Sequence, residues 1–554
     1  MHTRQHIADL PVILHRQGVE HVIISPGSRN APLINSFFRE FGNACISIVD
    51  ERSAAYAGLG MASYSKVPVV LVCTSGTAAL NYAPAMAEAY HQGVPLIALT
   101  ADRPPEWIDQ QDNQTIRQPG IYAPNCKASY SFPVEIGSEA ERRHAQRIAN
   151  EAYNMAVSQR QGPVHINIPL REPLYEEIPA PGEITCIAMA GSVVFNDPGD
   201  PYEKIWREAG HILLVAGQQA YNPRLSQLLE RMAEDTRVCL IGEPSANLKA
   251  EGTIENPELL LAVQENNRDF DPDLLIYFGG QVVSSRLKHF LRCGAVKHGW
   301  FIDPAGRHVD TFNHLSCVMQ ADPVHFFEWL SRIECAKVTE YSRHWHDLKE
   351  QADKVLQHAG MKIEYSDLGV MQRLTASLPE NALLFAGNSS IIRYLGFFSP
   401  RCKEIFSNRG TSGIDGCLST ATGIALATPD TVIALVGDQS FVYDSNALWN
   451  RSLPDNLKIV VINNQGGGIF GMMEGPSSSP AYRSFFEAHH PAEIAKFSEA
   501  FNVSYSACRS YRDFDDTFKP FLQHKGPAVF EIFTPREVNP AVFRTFVSQL
   551  KKPV

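Results

Sequence analysis

Two apolar runs in the last third of the chain stop at side chains that carry oxygen. Val432 to Val436 ends at Gly437-Asp438, and Ile459 to Ile462 ends at Asn463-Asn464 and the turn Gln465-Gly466-Gly467-Gly468. Asp438 offers a carboxylate, Asn464 an amide oxygen and Gly466 its backbone carbonyl. Mg²⁺ suits such a set, because it binds a few protein oxygens and keeps positions for phosphate groups. Glycines at 437, 466, 467 and 468 let the backbone come close to those phosphates. The stretch from Thr431 to Phe470 therefore reads as a magnesium diphosphate clamp, although each half alone is also an ordinary turn after a strand.

Such a clamp needs strands to place it. The two β-branched runs read as buried strands, and the segment between them has helical spacing of Phe441, Leu448 and Leu453. Strand, helix, strand is the expected path, with ligands beyond the carboxyl ends of the strands. The same alternation recurs along the chain and predicts an α/β protein of three doubly wound domains, at 1–180, 195–345 and 360–554. In the first, strands are expected at His21 to Ile24, Cys45 to Val49, Val69 to Cys73 and Pro95 to Thr100, with helices at Ser53 to Ser65 and Ala78 to Tyr90. Leu174 to Asp200, rich in proline, glycine and acids, reads as a linker. The middle domain has no Gly-x-Gly-x-x-Gly after a strand and is read as structural. Three similar units suggest duplication of one plan.

The totals narrow the class. The 554 residues include 44% hydrophobic and 20% charged, as in a globular protein. A net charge of −11 argues against a nucleic-acid partner, which requires a basic footprint. No apolar run is long enough to span a bilayer, and the opening residues do not resemble a signal peptide. Eleven scattered cysteines without a CxxC pair fit reduced thiols in a cytoplasmic enzyme.

A second carboxylate stands out near the other end. Glu51 follows an apolar run and precedes the small-residue stretch Arg52-Ser-Ala-Ala-Tyr-Ala-Gly-Leu-Gly-Met-Ala62. By itself it is equally a helix N-terminal acid favoured by the helix dipole. The pattern Glu-x-x-Ala-Ala-x-x-x-x-Gly-x-Ala, with Gly-Asp-x followed by a spacer and Asn-Asn, resembles the thiamine diphosphate-dependent enzymes. In that family a glutamate bonded to the aminopyrimidine ring favours the imino tautomer, which removes the thiazolium C2 proton. The resemblance implies a 1–180 pyrimidine-binding domain, a 195–345 central domain and a 360–554 diphosphate-binding domain. It further implies cofactor contacts from Ser75, Gly76, Asn388, Ile414, Gly437, Gln439, Ser440, Gly467, Ile469 and Phe470. Ile414 would be the bulky support that folds the two rings together. The metal would be Mg²⁺ or Mn²⁺.

Further segments narrow the resemblance. SPGSRNAPL at 25–33, TSGTA at 74–78, LTADRPPEWIDQQDNQTIRQPG at 99–120, AGNSSIIR at 386–393 and SNRGTSGIDG at 407–416 resemble the menaquinone-pathway 2-succinyl-5-enolpyruvyl-6-hydroxy-3-cyclohexene-1-carboxylate synthase family. That family decarboxylates 2-oxoglutarate and adds the resulting carbanion to isochorismate. The two substrates carry carboxylates, for which planar guanidinium groups are natural partners. By resemblance, Arg393 and Arg409, with Ser389 nearby, would hold the donor chain. Ser28, Arg29, Arg103, Asn113 and Gln114 would receive isochorismate, with Arg286 reaching in from the middle domain. Members of the family often have Lys-Arg where this chain has Ser285-Arg286, which predicts one positive charge fewer. His165, His344 and His346 are assigned to structure. The family also implies a homodimer or homotetramer with cofactor sites between subunits. The alternatives are an acetohydroxyacid synthase or 2-oxo acid decarboxylase using the same cofactor, and a catalytically silent subunit of the same fold.

Overall fold

The computed structural model describes residues 3–189, 195, 197–263, 268–360, 363–451 and 453–551. These form three parallel sheets in succession. The first contains β1 (Val22–Ile24), β2 (Cys45–Ser47), β3 (Val69–Cys73), β4 (Leu96–Asp102), β5 (Ala128–Ser131) and β6 (Val164–Pro169), in the order β2-β1-β3-β4-β6-β5. The second contains β7 (Ile212–Ala216), β8 (Val238–Gly242), β9 (Leu274–Phe278), β10 (His298–Ile302) and β11 (Leu315–Met319), in the order β11-β10-β9-β7-β8. The third contains β12 (Leu383–Ala386), β13 (Glu404–Phe406), β14 (Val432–Gly437), β15 (Leu457–Asn463), β16 (Ser504–Cys508) and β17 (Ala528–Phe533), in the order β13-β12-β14-β15-β17-β16. The first and third sheets thus share one connectivity, the common plan expected from the sequence.

The central strands are buried along their whole length, which is why they read as apolar runs. Strands β5, β11 and β16 each lie at the edge of a sheet. Most of their residues are partly exposed, and serines interrupt each of them, Ser129 and Ser131 in β5, Ser316 in β11, and Ser504 and Ser506 in β16, so no unbroken apolar run marks them. The helix expected between β14 and β15 is broken into Asp438–Tyr443 and a 3₁₀ turn, Ser445–Trp449. Asp444 causes the break: its buried carboxylate accepts the Ser419 backbone N–H at 2.6 Å and the Ser419 hydroxyl at 2.9 Å. The helix expected over Ala78 to Tyr90 is likewise two, Thr77–Asn81 and Ala83–Gln92, the second with Pro84 in its first turn.

The linker stretch up to residue 189 has neither helix nor strand and lies along the first domain. Gln5 donates to the Ala180 carbonyl at 2.7 Å, and Asn150 to that of Thr185 at 2.9 Å. Its positions 190–194 and 196 lie outside the described residues.

Helices α1 (Glu51–Ser65) and α2 (Cys417–Leu426) join the first unit to the third. Both are rich in small residues and buried nearly throughout. Their backbones touch at two glycines: a Cβ on Gly60 would lie 1.9 Å from the Thr420 carbonyl oxygen, and one on Gly423 1.9 Å from that of Ala57. Beside the crossing, the Ser53 and Ser419 hydroxyls bond at 2.9 Å and the Tyr56 hydroxyl donates to Asp415 at 2.7 Å.

Candidate active site

Asp438 is the first residue after β14, and Asn464 the first after β15, its parallel neighbour. Both therefore sit at carboxyl ends of adjacent central strands, where α/β sheets gather ligands. Asp438 is buried, and its Oδ2 pairs with His490 Nε2 at 3.1 Å. That bond raises the His490 pKa above the usual histidine value. Asn464 donates its Nδ2 to Asp367 Oδ2 at 2.8 Å, while its Oδ1 is buried without a hydrogen-bond partner. A buried amide oxygen left unsatisfied costs free energy unless something accepts it as a ligand. With the Asp438 carboxylate and the Gly466 carbonyl it would make an all-oxygen donor set, the chemistry of a hard cation.

The glycines divide by role. A Cβ on Gly437 would meet nothing within 4 Å, so open space lies over that turn. Gly466 and Gly468 are instead pressed by protein: their added Cβ atoms would lie 2.5 Å from the Glu487 carbonyl oxygen and 2.5 Å from Asn464 Nδ2. The loop carrying Glu487 is fixed from below, since Gly467 N–H donates to the Glu487 carbonyl at 2.6 Å and Gln439 Nε2 to that of Ala488 at 3.1 Å. The Ser440 hydroxyl donates to the Ile414 carbonyl at 2.6 Å, bringing the 412–416 segment beside the clamp. Ile414 is half-buried and belongs to none of the hydrophobic clusters among the described residues. Asn388 donates to the carbonyls of Asn408 and Gly413, both at 2.7 Å, and so braces the same segment.

Glu51 opens α1, with Asp50 as the cap: its side chain accepts the Arg52 and Ser53 N–H groups. Burial raises the Glu51 carboxyl above its ordinary pKa, against the pull of its own backbone N–H and with a push from the Asp50 charge. Its charge in turn reaches the buried Cys73 at the end of β3. Among the described residues, no hydrogen bond or ion pair joins Glu51 to Asp438 or Asn464 within one chain.

The other first-domain candidates collect beyond β1, β3 and β4. Arg29 donates to the Leu170 carbonyl and to Glu172 Oε1, each at 3.0 Å, and Arg103 Nη1 lies 3.7 Å from the same carboxylate. Arg103 also holds the Asn113 carbonyl, through Nε at 3.0 Å and Nη2 at 2.7 Å. Gln114 and Ser75 bond reciprocally, side chain to backbone, at 2.8 and 2.9 Å. Gly76 N–H donates to Gln118 Oε1 at 2.8 Å, and Ser28 stands exposed alongside.

A different set surrounds a cavity of about 310 Å³ between the middle and third units, lined by Arg286, Arg393, Ser390, Ile469 and Met472 among others. Arg286 pairs with Glu258 at 3.2 Å, and Arg393 Nη1 donates to the Ser389 carbonyl at 2.8 Å. Arg409 is buried, donates to Asn388 Oδ1 at 2.8 Å, and keeps its Nε without a hydrogen-bond partner. Phe470 packs instead on Phe486, ring centres 5.6 Å apart. Burial lowers the pKa of both Arg393 and Arg409, and Arg393 lowers that of Arg409 further. Their charges are thus close enough to repel.

A further cation, which sequence reasoning did not single out, lies on the same helix as Ser285 and Arg286. Lys288, one helical turn after Ser285, is half-buried, and its pKa is lowered by burial and by Arg409, Arg292 and Arg393, with Glu243 opposing. Lys288, Asp367 and His490 were all missed by sequence reasoning. Asp367 reads in sequence as a helix-start acid, Lys288 as one charge on an amphipathic helix, and His490 as part of a polar loop. His165, assigned to structure, is buried and bonded to Thr100 and Ser129 at 2.8 and 3.0 Å.

Comparison with known proteins gives this arrangement its class. Residues 1–121 match the N-terminal TPP binding domain of thiamine pyrophosphate enzymes, 386–532 the C-terminal TPP binding domain, and 204–386 the middle domain. The chain is therefore a thiamine diphosphate-dependent enzyme. Whole-chain relatives are more particular. A 2-succinyl-5-enolpyruvyl-6-hydroxy-3-cyclohexene-1-carboxylate synthase of Desulfotalea psychrophila is 42% identical over 96% of this chain and 99% of its own length. Proteins of the same name from Cytophaga hutchinsonii and Christiangramia forsetii are 36% and 35% identical, covering 99% and 96% of each chain in the pair. The chain belongs to this synthase family.

Proposed function

We propose that the enzyme decarboxylates 2-oxoglutarate and joins the four-carbon remainder to isochorismate, using thiamine diphosphate held by Mg²⁺. When bound, the coenzyme supplies a carbon nucleophile for the 2-oxo acid and an electron sink for loss of CO₂. Asp438, Asn464 and the Gly466 carbonyl would hold the cation, and the backbone at Gly437 would leave room for the diphosphate. Residues 1–180 would form the pyrimidine-binding unit and 360–554 the diphosphate-binding unit, with 195–345 between them. Glu51 would hold a proton against the aminopyrimidine ring, and Ile414 would support the folded coenzyme. Arg393 and Arg409 would orient the donor's distal carboxylate, with Lys288 adding to their positive field, and Arg286, expected on the isochorismate side, lines the same cavity as Arg393. Arg29 and Arg103 would exchange Glu172 for the carboxylates of isochorismate, with Ser28, Asn113 and Gln114 around its hydroxyl and ring.

The observation that carries the substrate reading is Arg393 lining, with Arg286, a cavity that has an apolar wall at Ile469, while the charges of Arg409 and Lys288 are close enough to act on one another and on that of Arg393. Glu258, Glu243 and Glu88 offset these charges only in part, and an incoming dicarboxylate would stabilise them further. A pyruvate-specific site would have no use for them. The reading also implies a homodimer or homotetramer with cofactor sites between subunits, one subunit's Glu51 facing its neighbour's clamp. Among the described residues no helix is long and apolar enough to cross a membrane, and all eleven cysteines are free, which supports a cytoplasmic setting.

The test is direct. Purified protein, thiamine diphosphate, Mg²⁺, 2-oxoglutarate and isochorismate are combined and isochorismate consumption is followed, with pyruvate as the competing donor. Omission of Mg²⁺ or of 2-oxoglutarate should abolish turnover. Equal turnover of pyruvate would instead favour the decarboxylase or acetohydroxyacid synthase alternative.

A further inference from the structure

We infer that Asp367 is a positioning residue for the metal site, pinning the Asn464 amide so that its oxygen is the atom turned toward the cation. The inference rests on the reading of Asp438 and Asn464 as metal ligands. An asparagine amide has a donor end and an acceptor end of nearly equal shape, and nothing in its own chemistry decides which faces a site. Asp367 Oδ2 accepts from Asn464 Nδ2 at 2.8 Å, which selects the nitrogen and sends Oδ1 the other way. That Oδ1 is the buried atom left without a hydrogen-bond partner. Gly468 completes the arrangement, because any Cβ there would lie 2.5 Å from the same Nδ2 and displace it.

Asp367 is itself held on several sides. It is fully buried as the first residue of the helix Asp367–Ser377, its Oδ1 accepts the Thr534 hydroxyl at 2.5 Å, and its N–H donates to Asn539 Oδ1 at 2.9 Å. Thr534 follows β17 and Asn464 follows β15, so the carboxylate ties together the ends of two adjacent strands. His490 stands in the same relation to Asp438, occupying one carboxylate oxygen and leaving the other. Outer partners of this kind orient metal ligands, and their loss typically costs 10–100-fold in metal affinity.

The experiment titrates Mg²⁺ into protein saturated with thiamine diphosphate and reads the midpoint by calorimetry, with the melting temperature of the cofactor-free protein as a fold control. Asp367→Asn is expected to raise the Mg²⁺ midpoint about 10–100-fold. The exchanged pair Asp367→Asn with Asn464→Asp rebuilds an amide–carboxylate bond with an oxygen toward the cation, and should recover much of the loss. Thr534→Val, which frees one side of Asp367 without touching Asn464, should give a smaller shift. Asp438→Ala separates the two readings: if it too leaves the midpoint unchanged, the metal site is wrongly placed. If Asp438→Ala weakens binding while a folded Asp367→Asn keeps the wild-type midpoint, the positioning role is overturned. If Asp367→Asn does not fold, an unchanged midpoint in Thr534→Val overturns it instead.

Discussion

Gly60 and Gly423 lie at the crossing of α1 and α2, each facing a carbonyl oxygen of the opposite helix where a Cβ would sit 1.9 Å away. The obstacle is backbone in both cases, so no side chain can swing aside. Overpacking of a close-packed interior costs about 1–3 kcal/mol, and more when the backbone itself must move. Gly60→Ala and Gly423→Ala are each expected to destabilise the protein by about 3 kcal/mol, seen as a fall in melting temperature. Gly475→Ala, whose added Cβ would meet nothing within 4 Å, should leave it unchanged. Because α1 begins at Glu51, the glycine variants that still fold should also lose turnover. A small shift in the helix would misplace the carboxylate.

Glu51→Gln tests the other end of α1. The substitution keeps size and leaves Asp438, Asn464 and the glycine turn untouched, so cofactor affinity should remain within a few-fold of wild type. Turnover is expected to fall by about 10²–10⁴, the usual contribution of a positioned acid–base group. Steady-state kinetics together with a cofactor titration separate the two effects. Unchanged kcat would show that Glu51 is only the helix-dipole acid that its sequence position also allows.

Much of this architecture was legible in the residues because buried parallel strands are apolar end to end and stop abruptly at functional turns. Val432 to Val436 and Ile459 to Ile462 marked β14 and β15 nearly to the residue, and with them Asp438 and Asn464. Edge strands such as β16 gave no such signal, since half their side chains face water. The broken helix after β14 was also hidden, because a buried Asp444 turned toward Ser419 is indistinguishable in sequence from an acid on a helix surface. The outer residues of the site were hidden for a related reason. Asp367 is 97 positions from Asn464, and only the adjacency of strand ends brings them together. Lys288, one turn along the helix from Ser285, reads in sequence as one more charge on an amphipathic helix.

Arg393 and Arg409 should be distinguishable from generic positive charge. Replacing either with lysine keeps the charge and loses the planar fork that pairs with a carboxylate. A hydrogen bond to a charged group contributes about 1.5–3 kcal/mol, so kcat/KM for 2-oxoglutarate should fall about 10–100-fold in each variant. Arg409→Lys also loses the bond to Asn388 Oδ1 and so loosens the 413 carbonyl that Asn388 braces. It should therefore weaken cofactor binding as well, while Arg393→Lys should not. Equal losses with a monocarboxylate donor would place both arginines outside the donor's carboxylate contact.

Lys288 provides the sharpest discrimination between compensation and coincidence. Three like charges, Arg292, Arg393 and Arg409, lower its pKa along with burial, and only Glu243 opposes them. Glu243 is itself committed, accepting the Val283 and Ser284 N–H groups at 2.5 Å each, with its carboxyl raised to about 7 by burial. Lys288 is therefore held where positive charge is already in excess, an arrangement that a bound dianion would relieve. Lys288→Leu removes the charge while preserving the stem that covers the helix, so the protein should be at least as stable as wild type. Its KM for 2-oxoglutarate should rise about tenfold with little change in kcat, since the interaction would be made equally in ground and transition states. Lys288→Arg should restore most of the affinity. A merely structural lysine would predict the opposite pattern: unchanged KM, with any loss appearing in melting temperature alone.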